Sequence, residues 1–252
     1  MKHWFISDLH ITDINERNGN LLLRFFFFLN QNPSEHSVYF LGDIFDFWLS
    51  DGAAFQNHYK QLIDEIRNFK AGGGKLVYFE GNHDFHIDRF WTKHLDIPVI
   101  ENEAFFKIDG LKVRCEHGDY INPDDKAYLA YRESIRQPWV EWFAHNLPGS
   151  FWKRVGESLS KKSRKKTGQY ASQNPGKLKA MIQAYAMKVY NVEPFDLIVT
   201  GHMHVFDDYT FTVGHKNARS INLGTWLVEP LALLIDQGQV QVVNVQVLIN
   251  KK

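Results

Sequence analysis

Five short polar clusters in this chain carry residues of metal-binding type. Ser7-Asp8-Leu9-His10 follows the apolar Trp4-Phe5-Ile6, and Gly42-Asp43, with Asp46 one turn later, follows Val38 to Leu41. Gly81-Asn82-His83-Asp84 follows Leu76 to Phe79, His117-Gly118-Asp119 follows Val113 and Cys115, and Gly201-His202-Met203-His204 follows Leu197 to Val199. Alone, a Gly-Asp after an apolar run is usually a turn or a helix cap. Five strand ends that all offer carboxylate, amide or imidazole groups point instead to one convergent metal site. The candidate ligands are Asp8, His10, Asp43, Asn82, His117, His202 and His204. A strand end or turn lets the pairs Asp8/His10 and His202/His204 each converge on one point.

Mixed oxygen and imidazole ligands suit Mn²⁺, Fe²⁺ or Zn²⁺ better than a pure oxygen cage would. Seven ligands are too many for one such ion. They suit two ions about 3.5–4 Å apart with a bridging carboxylate. Asp43, on the middle strand of the expected array, is the predicted bridge. Such a pair generates hydroxide at neutral pH and clamps phosphoryl oxygens. His83 follows the ligand Asn82 and is expected to point across the pocket. There it would protonate or stabilise a leaving oxygen, with Asp46 orienting its other ring nitrogen. Asp84 and Asp119 read as turn or hydrogen-bonding residues. His3, His36, His58, His86, His94, His145 and His215 lack such a context and read as surface.

The elements that must hold these residues alternate between strand and helix. Strands are predicted at about Lys2 to Ser7, Ser37 to Leu41 and Lys75 to Glu80, with helices near Gly19 to Asn30, Asn57 to Lys70 and Ile87 to His94. Leu62, Ile63, Ile66 and Phe69 have helical spacing, and Gly72-Gly73-Gly74 ends that helix. This alternation implies βαβ units and a mainly parallel sheet. Asp109-Gly110 between Phe105 to Ile108 and Lys112 to Glu116 is a hairpin signal. From about Asp124 to Val192 the chain reads as helix, and Tyr128 to Tyr170 looks like an insertion over the site. Strands return at Leu197 to Thr200, Tyr209 to Val213, Ala218 to Leu223, Leu231 to Asp236 and Gln239 to Leu248. The simplest architecture is α/β, two sheets faced by helices, in a single domain over 1–252 with a helical insertion at about 121–190.

Composition narrows the function. The 252 residues include 29 Lys plus Arg and 29 Asp plus Glu, so no global field favours nucleic acid. Cys115 is the only cysteine, which fits a reducing, cytoplasmic compartment. No secretory signal precedes the first strand, and the apolar Leu21 to Leu29 is too short to span a bilayer.

In their order along the chain, the five blocks resemble those of the calcineurin-like metallophosphoesterases. That resemblance implies a four-layer αββα sandwich. It also implies one metal on Asp8, His10, Asp43 and His204, and a second on Asp43, Asn82, His117 and His202. A narrower similarity lies in Gly42-Asp43-Ile44-Phe45-Asp46-Phe47-Trp48, in Gly81 to Phe85, and in His117-Gly118-Asp119 with Asp125, Tyr128, Arg132 and Gln137-Pro138-Trp139. These segments are similar to the bacterial UDP-2,3-diacylglucosamine pyrophosphatases of lipid A synthesis. The resemblance implies hydrolysis to UMP and 2,3-diacylglucosamine 1-phosphate with two divalent ions, Mn²⁺ foremost. It implies a helical lid near Phe151 to Tyr170 and substrate contacts at Asn82, His83, Asp125, Arg132, Ser163 and Thr167. The chain departs from many members at His83, where they carry Arg, and at Ser160, Tyr170, Met203 and Val205-Phe206. These departures leave an alternative, a metallophosphoesterase for a soluble nucleotide or phosphodiester.

Phe151 to Lys166 holds seven basic residues and one acid, with Phe151, Trp152, Val155 and Leu159 at helical spacing. One reading is a solvated charged helix with an ordinary packing face. The other is a basic amphipathic surface meeting anionic lipid at the cytoplasmic face of the inner membrane, with Trp139, Trp142 and Phe143 adding apolar bulk. The partners expected are thus a glycolipid or nucleotide-sugar substrate and a membrane surface, with no nucleic acid.

Overall fold

The structure is a computed structural model that describes residues 1–49, 53–146 and 174–250. The first half runs β1 (Lys2–Ile6), α1 (Arg17–Leu29), β2 (His36–Leu41), β3 (Trp48–Leu49), α2 (Ala53–His58), α3 (Lys60–Ala71), β4 (Lys75–Phe79), β5 (Asp84–Phe85), α4 (Asp88–Leu95) and β6 (Val99–Ile100). The hairpin β7 (Ala104–Ile108) and β8 (Leu111–Cys115) turns at Asp109-Gly110, both at positive φ, as a two-residue turn that matches strand twist requires. Helices α5 (Lys126–Ile135), α6 (Pro138–Asn146) and α7 (Pro175–Val192) follow. The chain continues through β9 (Leu197–Thr200), β10 (Phe206–Val213), β11 (Lys216–Leu223), β12 (Leu231–Asp236), β13 (Gln239–Asn244) and α8 (Val245–Asn250).

One sheet has the order β13-β12-β1-β2-β4-β6, the other β10-β11-β9-β8-β7, and β3 pairs with β5 in a short ribbon. Strands β1, β2, β4 and β6 pair in parallel, as do β8, β9 and β11. The two-residue period of a strand divides its apolar side chains between two cores. Phe5, Tyr39, Leu41 and Phe79 face Val113, Cys115, Val199 and Ile221 between the sheets. Their neighbours Trp4, Ile6, Val38, Phe40 and Tyr78 face the other way, onto α1, α3 and α4. Ile198 of β9 meets Leu178, Ile182 and Tyr185 of α7 outside the second sheet. The layers are therefore helix, sheet, sheet, helix, the expected αββα order.

Three local expectations need correction. The helix predicted over Asn57 to Lys70 is two, because Tyr59 leaves helical geometry and its hydroxyl donates to the Ile11 carbonyl at 2.9 Å. The last strand stops at Asn244, whose Oδ1 accepts from Val247 N at 3.1 Å and starts α8. Val245, Leu248 and Ile249 there pack on the core at helical spacing despite their β-type composition. His36 is buried, its Nδ1 accepting from the Trp4 indole at 3.1 Å. Ser163, Thr167 and the basic run of the expected lid lie outside the described residues.

Candidate metal centre

All five clusters sit just past the C-terminal ends of β1, β2, β4, β8 and β9, where parallel sheets place their ligands. The backbone turns sharply there. Asp8, His10, Asp43, His202 and His204 have φ of 55°, 50°, 53°, 67° and 54°. This left-handed geometry re-aims each side chain out of the strand line and into the crevice. Glycines allow the loops to close together. A Cβ on Gly81 would lie 2.1 Å from Asp43 Oδ1, and one on Gly201 would lie 2.2 Å from Asp8 Oδ2.

The seven expected ligands converge as two groups. Ligand atoms of Asp8, His10, Asp43 and His204 all lie within 4.8 Å of one another. His10 Nε2 and His204 Nε2 are 3.1 Å apart, and His204 Nε2 is 3.1 Å from Asp8 Oδ1. In the second group, His117 Nε2 lies 3.3 Å from His202 Nδ1 and 3.4 Å from Asn82 Oδ1. Asp43 Oδ2 stands between the groups, 3.6 Å from His117 Nε2 and 4.0 Å from His10 Nε2.

These residues fit a pair of cations. His117 Nδ1–H donates to the Leu41 carbonyl at 2.8 Å, which leaves the Nε2 lone pair for the site. Asp8 Oδ1 is buried without a hydrogen bond, the His204 contact being off the bond direction. Facing imidazole nitrogens around shared carboxylates are what a cation binds and what a neutral core avoids. The electrostatics agree. Burial pushes His10 down to about 3, aided by the charge of His83, so its imidazole is neutral and free to ligate. Burial and His117 likewise lower His202 to about 4. Burial opposes a charge on His117, but Asp43, Asp119 and Asp8 outweigh it and raise that ring to about 9. That concentration of negative charge is what dications would neutralise.

His83 lies beside the first group, its ring centroid 4.8 Å from that of His10, and it is held differently from the expectation. Its Nδ1–H donates to the backbone carbonyl of Asp46 at 2.7 Å, so a main-chain group orients the ring where a carboxylate was predicted. Its Nε2 faces Asp43 Oδ2 at 4.0 Å. The Asp46 carboxylate still belongs to a cluster with the rings of His10 and His83. Burial disfavours a charged His83, but Asp43, the Asp46 carbonyl and the charges of Asp46 and Asp84 outweigh it and raise its pKa.

A second layer holds the ligands. Asp84 accepts from the backbone N–H of Asp43 and Gly81, both at 2.9 Å, and from Ile44 at 2.8 Å, tying the ends of β2 and β4 together. Tyr128 of α5 donates to Asp119, lies 3.3 Å from Asn82 Oδ1, and lays its ring over His202 with centroids 4.8 Å apart. Of the expected substrate contacts, Asp125 caps α5 by accepting from Tyr128 N at 2.9 Å. Arg132 is buried, with Nε on Asp119 at 2.6 Å and further bonds to Tyr120 and Asn102, so it anchors Asp119. Sequence reasoning missed the loop after β11. There Asn222 Nδ2 donates to the Gly201 carbonyl at 2.5 Å, and Thr225 Oγ1 donates to the Asp8 carbonyl at 2.9 Å. Its only signal is another strand running into a polar, glycine-containing turn, Asn222-Leu223-Gly224-Thr225.

The fold and this paired cluster suit a phosphoesterase whose residues could hold two divalent cations. The chain belongs to the calcineurin-like phosphoesterase family, whose profile matches residues 1–206, and it is a metal-dependent hydrolase. Among curated proteins it is similar to a UDP-2,3-diacylglucosamine hydrolase of Vibrio atlanticus (strain LGP32), 27% identical over 246 residues, covering 97% of each chain. One of the same name from Coxiella burnetii (strain RSA 331 / Henzerling II) is 27% identical over 228 residues, covering 90% of each. Among solved structures, a novel archaeal phosphodiesterase superposes with a TM-score of 0.50 at 13% identity, covering 97% of this chain and 99% of that one. Among the described residues, no helix is long and apolar enough to cross a membrane.

Proposed function

We propose that this protein hydrolyses the pyrophosphate bond of UDP-2,3-diacylglucosamine, releasing UMP and 2,3-diacylglucosamine 1-phosphate, with two Mn²⁺ ions. The observation that carries the reaction class is Asp43 Oδ2 between two imidazole pairs. The substrate is supported by the hydrolases similar to this chain over nearly its whole length. It is also supported by Trp139 and Trp142 of α6, which are 61% and 60% exposed. Exposed indoles on one helix are the groups that meet acyl chains or a lipid interface. On this reading Phe151 to Lys166 supplies a basic rim at the membrane surface, and the enzyme works at its cytoplasmic face.

Asp8, His10, Asp43 and His204 would hold one ion, and Asp43, Asn82, His117 and His202 the other. The ions, when bound, supply a hydroxide-forming water and neutralise phosphoryl charge. The residues orient the rest. The oxygen of water bonds to one phosphorus and the bridging P–O bond breaks. His83, fixed by the Asp46 carbonyl, presents Nε2 to the departing phosphate oxygen and hands it a proton or a hydrogen bond. Asp46 stabilises the protonated ring.

The test is release of UMP from purified UDP-2,3-diacylglucosamine with Mn²⁺, run beside a small chromogenic phosphodiester. UMP formation at the faster rate supports the proposal. Turnover of the small ester alone would favour a soluble nucleotide or phosphodiester substrate, the reading that His83 in place of Arg supports.

A further inference from the structure

Helix α5 docks beside the metal cluster through polar contacts. Of its ten residues only Tyr128 and Arg132 are buried, four apart and so on one face of the helix. Both reach Asp119, itself buried. Tyr128 donates its hydroxyl to Asp119 Oδ1, and Arg132 Nε donates to Oδ2 at 2.6 Å. The rest of the guanidinium is held from outside the helix: Nη1 donates to the Tyr120 hydroxyl at 2.7 Å and Nη2 to Asn102 Oδ1 at 2.9 Å. The far end of α5 is pinned separately. There Ile135 packs on Leu49 and Phe85, and its carbonyl accepts from His86 Nε2 at 2.7 Å.

The anchor residues face the second ligand group. Asp119 Oδ1 lies 3.9 Å from His202 Nδ1, and ligand atoms of His117, Asp119 and His202 fall within 4.8 Å of one another. Tyr128 Oη is 3.3 Å from Asn82 Oδ1, and the Tyr128 ring lies over His202. The first group takes its bonds from the loops after the strands. Asp8 Oδ2 accepts from His202 N at 2.9 Å, and the Asp8 carbonyl accepts from Thr225 Oγ1 at 2.9 Å and Trp226 N at 3.1 Å. One set of contacts therefore has two effects. It fastens α5 to the sheet edge, and it fixes Asn82 and His202 while turning a carboxylate toward their side of the site.

We infer that docking of α5 and loading of the second cation form one coupled equilibrium, with Tyr128 and Asp119 as its positioning residues. The inference rests on the reading that the seven ligands hold two ions. Linkage makes the coupling reciprocal: a helix docked on Asp119 strengthens the second ion, and that ion strengthens docking by the same factor. The ion on Asp8, His10, Asp43 and His204 loads first and is indifferent to α5. A ligand that presses α5 onto Asp119 tightens the second ion as it binds.

Mn²⁺ titration of the metal-depleted full chain tests it, followed by electron paramagnetic resonance and by hydrogen exchange of the α5 amides. In wild type the first equivalent should give the signal of an isolated ion, and the second the exchange-coupled signal of a pair. Exchange over α5 should slow by roughly 10-fold with the second equivalent and stay unchanged with the first. Tyr128→Phe and Asp119→Asn should keep the first ion at wild-type affinity, weaken the second by roughly 10–100-fold and abolish that protection. Slowing of α5 by the first ion, or by neither, overturns the inference. So do folded variants that weaken both ions equally, or neither. If wild type binds a single ion, the two-cation reading fails as well. If it binds a coupled pair while α5 ignores the second ion, the coupling alone fails. The wild-type exchange experiment needs no substitution, so it decides the matter even where a variant does not fold.

Discussion

Gly81→Ala isolates the position of the shared carboxylate without altering any ligand. The added methyl would lie 2.1 Å from Asp43 Oδ1, 2.5 Å from Asp43 N and 2.9 Å from its Cγ, all against backbone or a ligand that is itself held. Ordinary contact begins near 3.4 Å, so the carboxylate oxygen must retreat by about 1.3 Å. Oδ1 accepts from His83 N at 3.0 Å, and that bond breaks with the movement. Losing a hydrogen bond to a buried carboxylate costs about 1.5–3 kcal/mol, and overpacking costs about 1–3 kcal/mol, partly overlapping. A net loss of roughly 2–4 kcal/mol would lower Tm by roughly 5–15 °C for a chain of this length. Displacement of a reacting centre by ~1 Å should cost about 10²-fold in turnover. Plasma mass spectrometry for metal per chain, thermal unfolding and turnover of a chromogenic phosphodiester read the three effects. Gly110→Ala is the control: its φ is +90° with nothing within 4 Å of a new Cβ, so it should lose about 1–2 kcal/mol of stability and no metal. If Gly81→Ala keeps two ions and turns over within a few-fold of wild type, Asp43 does not bridge them.

Asp43→Ala should lose both ions and stay inactive in excess Mn²⁺, whereas Asn82→Ala and His202→Ala should weaken one ion and recover in part with added Mn²⁺; metal content against Mn²⁺ concentration distinguishes them. His83→Ala should keep its metals and lose roughly 10²–10⁴-fold in turnover, less on esters with good leaving groups; equal losses on good and poor leaving groups would assign the ring to orientation or charge stabilisation. Asn222→Leu removes bonds to the Gly201 carbonyl at 2.5 Å and Thr200 Oγ1 at 2.9 Å, and should destabilise the protein by roughly 2–4 kcal/mol in denaturant unfolding while weakening metal binding through the 201–204 turn.

What was legible in the sequence follows from what repeats. Apolar runs such as Val38 to Leu41 and Leu197 to Val199 are buried on both faces, so their hydrophobicity alone located the strands. Parallel pairing then put their C-terminal ends on one edge, and the clusters after them became neighbours. The Asp46 carbonyl that holds His83 could not be read, because every residue has a carbonyl and only the fold chooses one. Val245 to Leu248 misread as strand because tertiary packing overrode β-branched propensity. The Asn222 to Thr225 turn was legible in type but carries no ligand, and nothing in its residues says that it braces Asp8 and Gly201.

The left-handed backbone connects residue type to chemistry at this site. Five candidate ligands have positive φ, a conformation that costs a non-glycine residue about 1–3 kcal/mol. Asp, Asn and His tolerate it better than other side chains, and they are also the side chains that ligate borderline metals. The same residues therefore serve both the turn and the ion in the clusters at 8–10, 42–43 and 202–204, where a ligand and a sharp bend share so few residues. It also explains why Asp8/His10 and His202/His204 are each two apart. With Asp8, His10, His202 and His204 each turned out of the strand line, both members of each pair reach the crevice, Asp8, His10 and His204 in one ligand group and His202 in the other, with the Asp43 carboxylate between the groups. A strand continued in regular β geometry would have spread these ligands along its length.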